Sequence, residues 1–440
     1  MIHWESLTRE AAQLLSGYLQ IASLNPPGDE RAAAQYLAES LQQRGFEPKI
    51  YESAPNRANL VARLPGDGTK KPLLLYNHMD VVEADPARWS CDPFGGEIRD
   101  GYVYGRGAID MKGMGIIQLL ALDLLRQNHP RRSRDVIFFA AADEEKGGKF
   151  GVQWMIEHHW PELEAEYVWD EGGFGLQDFF GPQPVFTVSV AEKKDLWLRV
   201  IAHGEPGHSG MPHANNAINV LMRALDRLQS LNETYELHPI PQQMFCQLST
   251  LMPFPQSFLL RHLDNRLFLR LALPALSANP TIAAMLKDTL SITVLQAGGK
   301  ENVIPERAEA TLDLRLLPDR VPAEVIEKLM RLVDDGRVEL QILQAPEPAA
   351  SSDPNTEFFR TLSTVLSELL PNSLTTPMLS PGTTDSAFFR QKGAQSYGLF
   401  PILISPGELA RFHGIDERIS LENLRMGIEI TYRVLEKLCQ

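Results

Sequence analysis

Cysteine is scarce in this chain, with three residues among 440. Cys91, Cys246 and Cys439 are an odd number without paired spacing, so the sequence predicts neither a disulfide framework nor a zinc site built on cysteine thiolates. Long apolar runs are missing as well, since no stretch approaches the roughly 20 apolar residues of a membrane-spanning helix. We therefore expect a protein of the reducing cytoplasm that has no membrane span.

Basic residues are in the minority: 42 lysines and arginines stand against 56 aspartates and glutamates, for a net charge of −14. A charge of this sign opposes non-specific attraction to nucleic acids and to anionic membranes, so neither is expected as a partner. The stretch "MIHWESLTREAAQLLSGYLQ" places acids among apolar residues and has no continuous apolar core. It therefore indicates an amphipathic helix and not a signal peptide.

The chain is long enough for several domains, and its sequence alternates between helical and strand-like patterns. Its 440 residues are 44% hydrophobic, which suffices for the cores of two or three domains of roughly 150 residues each. Residues 1–186 alternate helical stretches with short apolar runs such as "PLLLYNH" and "DVIFFAAADEE". This pattern is typical of an α/β domain with a mixed, largely parallel sheet that is buried on both faces.

Residues 187–347 follow a different pattern, in which alternating strands are each followed by a helical stretch. Two such pairs indicate a small α+β domain inserted into the first domain. The Pro-rich segment between Asn232 and Ile292 is expected to be irregular, and its pattern assigns no architecture. Residues 348–440 return to helix and apolar strand and are expected to rejoin residues 1–186.

Residue types that bind metals follow predicted buried strands at five places. These are His78, Asp110, the pair Glu144 and Glu145, Glu171, and His413. In an α/β sheet the loops past the carboxyl ends of the strands open into one crevice, so these side chains are expected to lie together. Two imidazoles with several carboxylates suit divalent zinc, cobalt or manganese better than calcium, which prefers oxygen ligands alone.

Each of these residues also has an ordinary explanation. A single histidine after a strand is more often a hydrogen-bonded structural residue, and a Glu-Glu pair is more often a solvated turn. These ordinary explanations would have to hold at all five places at once, however. Carboxylates beside an apolar core are also costly in free energy unless they are paired or bound to a metal. Asp80, two residues after His78, either accepts the second imidazole N–H with its carboxylate or caps a turn.

Eight motifs, in order along the chain, resemble those of the M20 family of metallopeptidases and amidohydrolases. They are "HMDVV", "GRGAIDMKG", "DEEKGG", "DEGG", "GEPGHSGMP", "ENVIPERAEATLDLRLLP", "GTTDSAFF" and "FHGIDERI". Acetylornithine deacetylase, succinyl-diaminopimelate desuccinylase, aminoacylase-1 and glutamate carboxypeptidase belong to this family. The resemblance implies a zinc-hydrolase domain with an inserted domain that serves as a lid and in dimerisation.

The resemblance also implies a site with two zinc ions per chain. Asp110 would bridge the two ions. His78 and Glu171 would complete the coordination of one ion, and Glu145 and His413 would complete that of the other. Glu144 would be the general base for a metal-bridging hydroxide that attacks an amide carbonyl. The two dications would then neutralise the adjacent acids Asp143, Glu144 and Glu145, which otherwise repel one another.

Residues that would contact the substrate follow from the same motifs. His208 would stabilise the tetrahedral oxyanion, often in the other subunit's site, so a homodimer is expected. Asn302 and Arg315 would hold the substrate's carbonyl and carboxylate, and Gly382 and Thr383 are placed at the substrate as well. Two ordinary alternatives remain: His208 as a turn residue and Arg315 in a structural ion pair.

One position departs from the family pattern. Ala387 occupies a common arginine position within "GTTDSAFF". Arg390, three residues on, could present its guanidinium on the same helical face if a helix begins near Asp385. We hypothesise that recognition of a substrate carboxylate is shifted to Arg390 or is weakened.

The sequence therefore predicts an M20-type dizinc hydrolase of short peptides or N-acyl amino acids. Carboxypeptidase or aminoacylase chemistry is favoured over a biosynthetic deacylase of the acetylornithine deacetylase type. A non-catalytic metal-binding module that binds peptides is the alternative from another class, but the complete ligand set and Glu144 argue against it. A zinc aminopeptidase of a related fold would lack the inserted domain with its "GHSG" turn.

Overall fold

The computed structural model describes residues 2–233, 235–346 and 350–440. Their α-helices are α1 (Trp4–Leu19), α2 (Arg31–Gln43), α3 (Lys112–Asn128), α4 (Val152–Leu163), α5 (Ala217–Gln229), α6 (Pro239–Leu248), α7 (Gln256–Arg261), α8 (Arg266–Leu276), α9 (Pro280–Met285), α10 (Pro322–Val333), α11 (Glu357–Leu369), α12 (Ser386–Gln391), α13 (Pro406–Leu409) and α14 (Leu421–Leu438). Within the described ranges, no helix is both long enough and apolar enough to cross a membrane.

The strands follow the same chain order. They are β1 (Lys49–Ala54), β2 (Arg57–Leu64), β3 (Leu73–His78), β4 (Ile98–Arg99), β5 (Tyr102–Tyr104), β6 (Val136–Ala141), β7 (Tyr167–Leu176), β8 (Val185–Glu192), β9 (Lys194–His203), β10 (Gly207–His208), β11 (Thr289–Ala297), β12 (Val303–Ile304), β13 (Arg307–Leu316), β14 (Val338–Gln344), β15 (Leu374–Ser380), β16 (Gln395–Ile404) and β17 (Arg418–Ser420).

The largest sheet has eight strands in the order β1-β2-β6-β3-β7-β16-β8-β15. Its central strands β6, β3, β7 and β16 run parallel, whereas β2 on one side and β8 on the other run antiparallel to them. Every residue of β3 and β6 is buried, as their continuous apolar runs require. Helices α3 and α14 pack against each other, with α3 on β3 and α14 on β16. The prediction of a mixed, largely parallel α/β fold is confirmed.

A second sheet is built from residues of the predicted insertion. Its four strands are all antiparallel, in the order β11-β13-β9-β14, and α5 and α10 pack beside them. Buried and half-buried positions alternate along β13, as expected for a strand with one covered face. Leu312 and Leu314 lie in the core between this sheet and the helices.

The boundaries of the insertion differ from the predicted ones where the structure describes them. The predicted boundary between residues 186 and 187 falls inside β8, which pairs with β15 in the large sheet. The second sheet begins at Lys194 in β9, because the apolar run of β8 belongs to the eight-stranded core. The other predicted boundary, between residues 347 and 348, lies outside the described residues.

The Pro-rich segment is helical, contrary to the expectation of an irregular chain. Pro239 and Pro280 occupy the first turn of α6 and α9, where a proline removes no helical hydrogen bond. The side chains of Asn265 and Asn279 cap the starts of α8 and α9 by accepting backbone N–H bonds. Helix α6 packs on β15, so this segment covers the edge of the large sheet.

Candidate metal centre

The five predicted metal ligands lie together near the carboxyl ends of the central parallel strands of the large sheet. His78 ends β3, Glu171 lies in β7, and Glu145 follows β6, which are three neighbouring parallel strands. Asp110 precedes α3 and His413 precedes β17, so both come from loops. Adjacent parallel strands end on the same side of a sheet, which explains how residues so far apart in sequence meet.

These five residues form two groups that share Asp110. One group is His78, Asp110 and Glu171, and the other is Asp110, Glu145 and His413, with the ligand atoms of each group all within 4.8 Å of one another. Asp110 Oδ1 lies 3.0 Å from His78 Nε2, and Asp110 Oδ2 lies 2.6 Å from His413 Nε2. One carboxylate therefore offers a separate oxygen to each group, as a bridging ligand must.

Asp80 acts through a different atom from the predicted one. His78 Nδ1 lies 2.9 Å from the backbone carbonyl of Asp80 and 3.6 Å from its carboxylate. The carboxylate instead accepts the backbone N–H groups of Glu144 and Glu145, at 3.2 and 3.1 Å. Asp80 thus fixes the imidazole with its main chain and the Glu144–Glu145 turn with its side chain, which combines both sequence-based alternatives.

The electrostatics of the cluster favour bound cations. Burial, followed by the negative charge of Asp110, raises the pKa of Glu171 to about 8. Hydrogen bonds with Asp110 and Glu145 raise the pKa of His413 to about 10. Glu145 Oε1 is buried, and it lies 3.5 Å from His413 Nε2. A buried carboxylate oxygen of this kind beside two imidazoles is the donor set that a divalent transition metal requires.

Glu144 belongs to neither ligand group. Burial raises its pKa well above the ordinary value, and the charges of Glu171, Asp385 and Glu145 act in the same direction, against that of His78. The residue as a whole is half-buried. A carboxylate with a raised pKa is a stronger base than an ordinary one, which suits proton transfer near neutral pH.

Asp143, the first acid of the "DEEKGG" turn, is neutralised by the protein itself. Arg57 Nη2 lies 2.5 Å from its carboxylate, and Asn25 and the Phe150 N–H donate to the same group. Asp143 has a φ of 69°, a left-handed conformation at the point where the chain leaves β6. The hypothesis that cations neutralise all three acids therefore applies to Glu144 and Glu145 only.

A buried ion pair that the sequence did not predict lies beneath Asp110. The Glu417 carboxylate accepts the backbone N–H groups of Gly107, Ile109 and Asp110, and Arg106 Nη1 lies 2.6 Å from it. Arg106 Nη2 also donates to the carbonyls of Gly414 and, more distantly, His413. The pair therefore joins the loops that carry Asp110 and His413.

Both members of this pair lie within motifs quoted above, "GRGAIDMKG" and "FHGIDERI". Charge is their only signal in the sequence. It is a weak signal, because ordinary surface residues carry the same charges. Their partnership spans 311 positions in the chain and is created by the fold alone.

A second buried network lies behind Glu171 and was also missed. Ser386 Oγ donates to Asp170 Oδ2 at 2.6 Å, and Thr384 donates to Asp170 and to Glu192. Asp385 accepts from the Tyr76 hydroxyl. Thr384 and Ser386 thus bind the strand that carries Glu171, and Asp385 binds the strand that carries His78. These contacts explain why this polar motif is buried.

Four of the predicted substrate residues meet in two pairs. β10 pairs with β12, so that His208 lies opposite Val303 and the Ser209 N–H donates to the Asn302 carbonyl. His208 Nδ1 accepts the Gly210 N–H at 3.0 Å, which leaves Nε2 to carry the proton of a neutral ring. Arg315 Nη1 donates to Thr383 Oγ1 at 3.1 Å and thereby links the two sheets.

Two features of these pairs qualify their roles. Arg315 also forms a salt bridge with Asp313, the ordinary alternative that the sequence had left open. Within the part of the chain that the structure describes, no ion pair or hydrogen bond joins His208 to the five metal ligands. Gly382 donates its N–H to Ser380 Oγ and lies one residue before Thr383.

Arg390 lies away from any position where it could face a substrate. Its side chain is 3% exposed and lies 3.4 Å from the Glu192 carboxylate. It also donates to Ser352 Oγ and to the Ser396 carbonyl. This geometry makes Arg390 a structural residue of the large-sheet core, and it does not support the hypothesis that Arg390 replaces an arginine at position 387.

The sequence and the fold were compared with known proteins. Residues 74–437 match peptidase family M20/M25/M40. The N-fatty-acyl-amino acid synthase/hydrolase PM20D1 of Homo sapiens is 32% identical over 84% of this chain and 74% of its own length. Human aminoacylase-1 is 27% identical over 97% of this chain and 94% of its own length.

Solved structures share the fold over its whole length. The M20 family metallo-carboxypeptidase Sso-CP2 of Sulfolobus solfataricus superposes with a TM-score of 0.73 and 20% identity, covering 99% of both chains. The likeness extends across both sheets, since so little of either chain is left out.

Proposed function

Because the chain belongs to peptidase family M20/M25/M40 and is a metallohydrolase of that family, we propose that it hydrolyses an amide bond in N-acyl amino acids or short peptides. The observation that carries this proposal is the position of Asp110, shared between two three-residue groups, with the non-ligating Glu144 next to Glu145. This arrangement combines two cation sites with a free base. It supports hydrolysis better than simple metal storage.

The proposed cofactor is two divalent metal ions, zinc or alternatively cobalt or manganese. His78 and Glu171 would hold one, Glu145 and His413 the other, and Asp110 both. Bound there, the ions would lower the pKa of a water molecule and polarise the substrate carbonyl. His78 is prepared for such a role because its Nδ1 is already engaged with a backbone carbonyl, which leaves Nε2 to face the ligand.

The chain's own residues then divide the remaining work. Glu144 takes the proton of the attacking water and returns it to the leaving nitrogen. Asp80 holds the backbone of Glu144 and Glu145, so the base and its ligand neighbour move together. His208 would donate its Nε2–H to the developing oxyanion. Arg315 and Thr383 form a polar pair that suits the carboxylate of an amino-acid product.

The substrate class is the finer part of this proposal. One relative is named an N-fatty-acyl-amino acid synthase/hydrolase and another is named an aminoacylase. These names favour an N-acyl amino acid over a free dipeptide. The sheet-linking Arg315 provides a cation for the substrate's carboxylate. A biosynthetic deacylase of the acetylornithine type remains the second candidate.

Metal content and amide hydrolysis should be measured together on a panel of N-acetyl amino acids, N-fatty-acyl amino acids and dipeptides. We expect about two metal ions per chain and turnover of the N-acyl substrates that stops when the ions are removed by a chelator. The acyl length with the highest kcat/KM identifies the substrate class. Bound metal without turnover on any member would contradict the hydrolase proposal and favour a peptide-binding module.

A homodimer with composite sites is also proposed, because family histidines like His208 act in the neighbouring subunit. Glu144→Ala and His208→Ala proteins should each be inactive alone. After subunit exchange, about one quarter of the wild-type activity is expected, since half of the dimers are mixed and each has one complete site. No recovery after proven exchange would mean that His208 acts in its own chain or not at all.

A reducing compartment such as the cytoplasm is the proposed location. Cys91, Cys246 and Cys439 are all free, which agrees with an environment that keeps thiols reduced.

A further inference from the structure

Helices α7 and α8, together with Phe254 just before α7, expose a group of large apolar side chains. Phe254 is 81% exposed, Phe258 44%, Leu267 61% and Leu271 60%. We call these four residues the apolar patch. Single exposed apolar residues are ordinary on a protein surface, but four within 18 positions of one helical segment indicate a surface that contacts something.

Most of the patch is not needed by the local fold. Leu267 and Leu271 lie one turn apart on the exposed face of α8. The opposite face of α8 supplies Ala272, Leu269, Leu273 and Leu276 to the core of the helical segment. Phe258 meets Phe268 edge-to-face, with 5.4 Å between ring centroids, which brings α7 beside α8. Phe254, Leu267 and Leu271 are therefore additional to the residues that hold the helices together, whereas Phe258 contributes to both the patch and the helix contact.

Arginines flank the patch. Arg261, Arg266 and Arg270 are exposed, and none of them forms an ion pair with another described residue. Arg266 and Arg270 lie one turn apart on α8, beside the leucines. Between residues 239 and 286, Asp264 is the only acid. The segment is therefore locally basic although the whole chain carries a charge of −14.

We propose that the apolar patch and its three arginines dock this protein on the surface of an anionic lipid bilayer. The four apolar side chains would enter the boundary between headgroups and acyl chains, and the guanidinium groups would meet anionic headgroups. This proposal departs from the expectation of no membrane partner, which was based on the overall charge. Charges more than about 8 Å from the contact are screened at physiological salt, so the local arginines would dominate. The cytoplasmic leaflet, which is rich in anionic lipids, fits the location proposed above.

Cosedimentation with two kinds of vesicle tests this proposal. The probes are vesicles of phosphatidylcholine alone and of phosphatidylcholine mixed with phosphatidylserine, each at low and high salt. Wild-type protein is expected to sediment with the mixed vesicles, more weakly at high salt, and poorly with phosphatidylcholine alone. The measurement is of binding and not turnover, so its result is independent of the proposed hydrolase activity.

Two variants separate the apolar from the charged contribution. Arg266→Gln/Arg270→Gln should weaken binding to the mixed vesicles by about fivefold for each arginine removed. Phe254→Ser/Phe258→Ser/Leu267→Ser/Leu271→Ser should abolish it. The matched controls are Leu295→Ser, which removes a leucine 64% exposed on β11, and Arg331→Gln, which removes an exposed arginine of α10. Circular dichroism and Tm verify that each variant is folded.

Three outcomes would overturn the proposal. The first is a wild-type protein that sediments with neither kind of vesicle. The second is binding that the patch variants retain, or that the controls lose equally. The third is a wild-type oligomer in solution that the four-residue variant dissolves while no vesicle binding is seen, since a second copy of the chain would then cover the patch.

Discussion

Glu144→Gln is expected to lower kcat for amide hydrolysis by about 10²- to 10⁴-fold while the bound metal stays in place. Glutamine has nearly the shape of glutamate but cannot accept the proton of the attacking water. Glu144 lies outside both ligand groups, so its loss should leave the number of bound ions unchanged. Turnover and metal content, measured on the same preparation, give the comparison.

The neighbouring acid provides a matched control. Glu145→Gln makes the same chemical change one residue further on, within the group of Asp110 and His413. It should reduce the metal content, because an amide oxygen is a weaker ligand than a carboxylate. If Glu144→Gln lost metal and Glu145→Gln did not, the two roles would be reversed. A Glu144→Gln protein with wild-type turnover would show that another group is the base.

Glu417→Gln is expected to have the largest effect on stability, about 3–5 kcal/mol, because it leaves the buried Arg106 charge without its partner. Glu417 is fully buried and accepts three backbone N–H groups of the Asp110 loop. Loss of this support should also displace Asp110 and His413 together. Denaturant unfolding measures the first effect, and metal content the second.

A control variant and a conservative variant test whether the buried pair causes the loss of stability and of metal content. Glu408→Gln breaks the more exposed pair with Arg418, in the same region of the fold, and should cost no more than about 1 kcal/mol. Arg106→Lys keeps the charge but loses the forked contacts to Gly414 and His413. We expect it to lower metal content at moderate cost in stability. Full metal content in both Glu417→Gln and Arg106→Lys would contradict a positioning role for the pair.

The clustering of three of the proposed metal ligands could be predicted because their signal is local. His78 ends β3, Glu145 follows β6 and Glu171 lies in β7, and these are adjacent parallel strands whose ends must coincide. The residue types then restrict the chemistry. By contrast, Asp80 was predicted at the right place with the wrong atom, because the sequence does not show which oxygen faces the imidazole.

The misplaced and missed residues depend on burial and long-range pairing. Arg390 shares a helical face with position 387, yet the fold turns it toward Glu192 in the core. Arg106 and Glu417 have no local signal for their pairing. The helices at residues 239–285 were not predicted because the Pro-rich pattern assigns no architecture, although Pro239 and Pro280 begin helices.

The strand order of the large sheet constrains how the chain folds as it is synthesised. β16 lies between β7 and β8, although more than 200 residues separate β8 from β16 in the chain. When the N-terminal half leaves the ribosome, β7 has no neighbour on most of that side. The sheet can close only after residue 404 has emerged. Strands that are so far apart in the sequence pair slowly. Until they pair, the apolar edges of the strands are exposed and prone to aggregation.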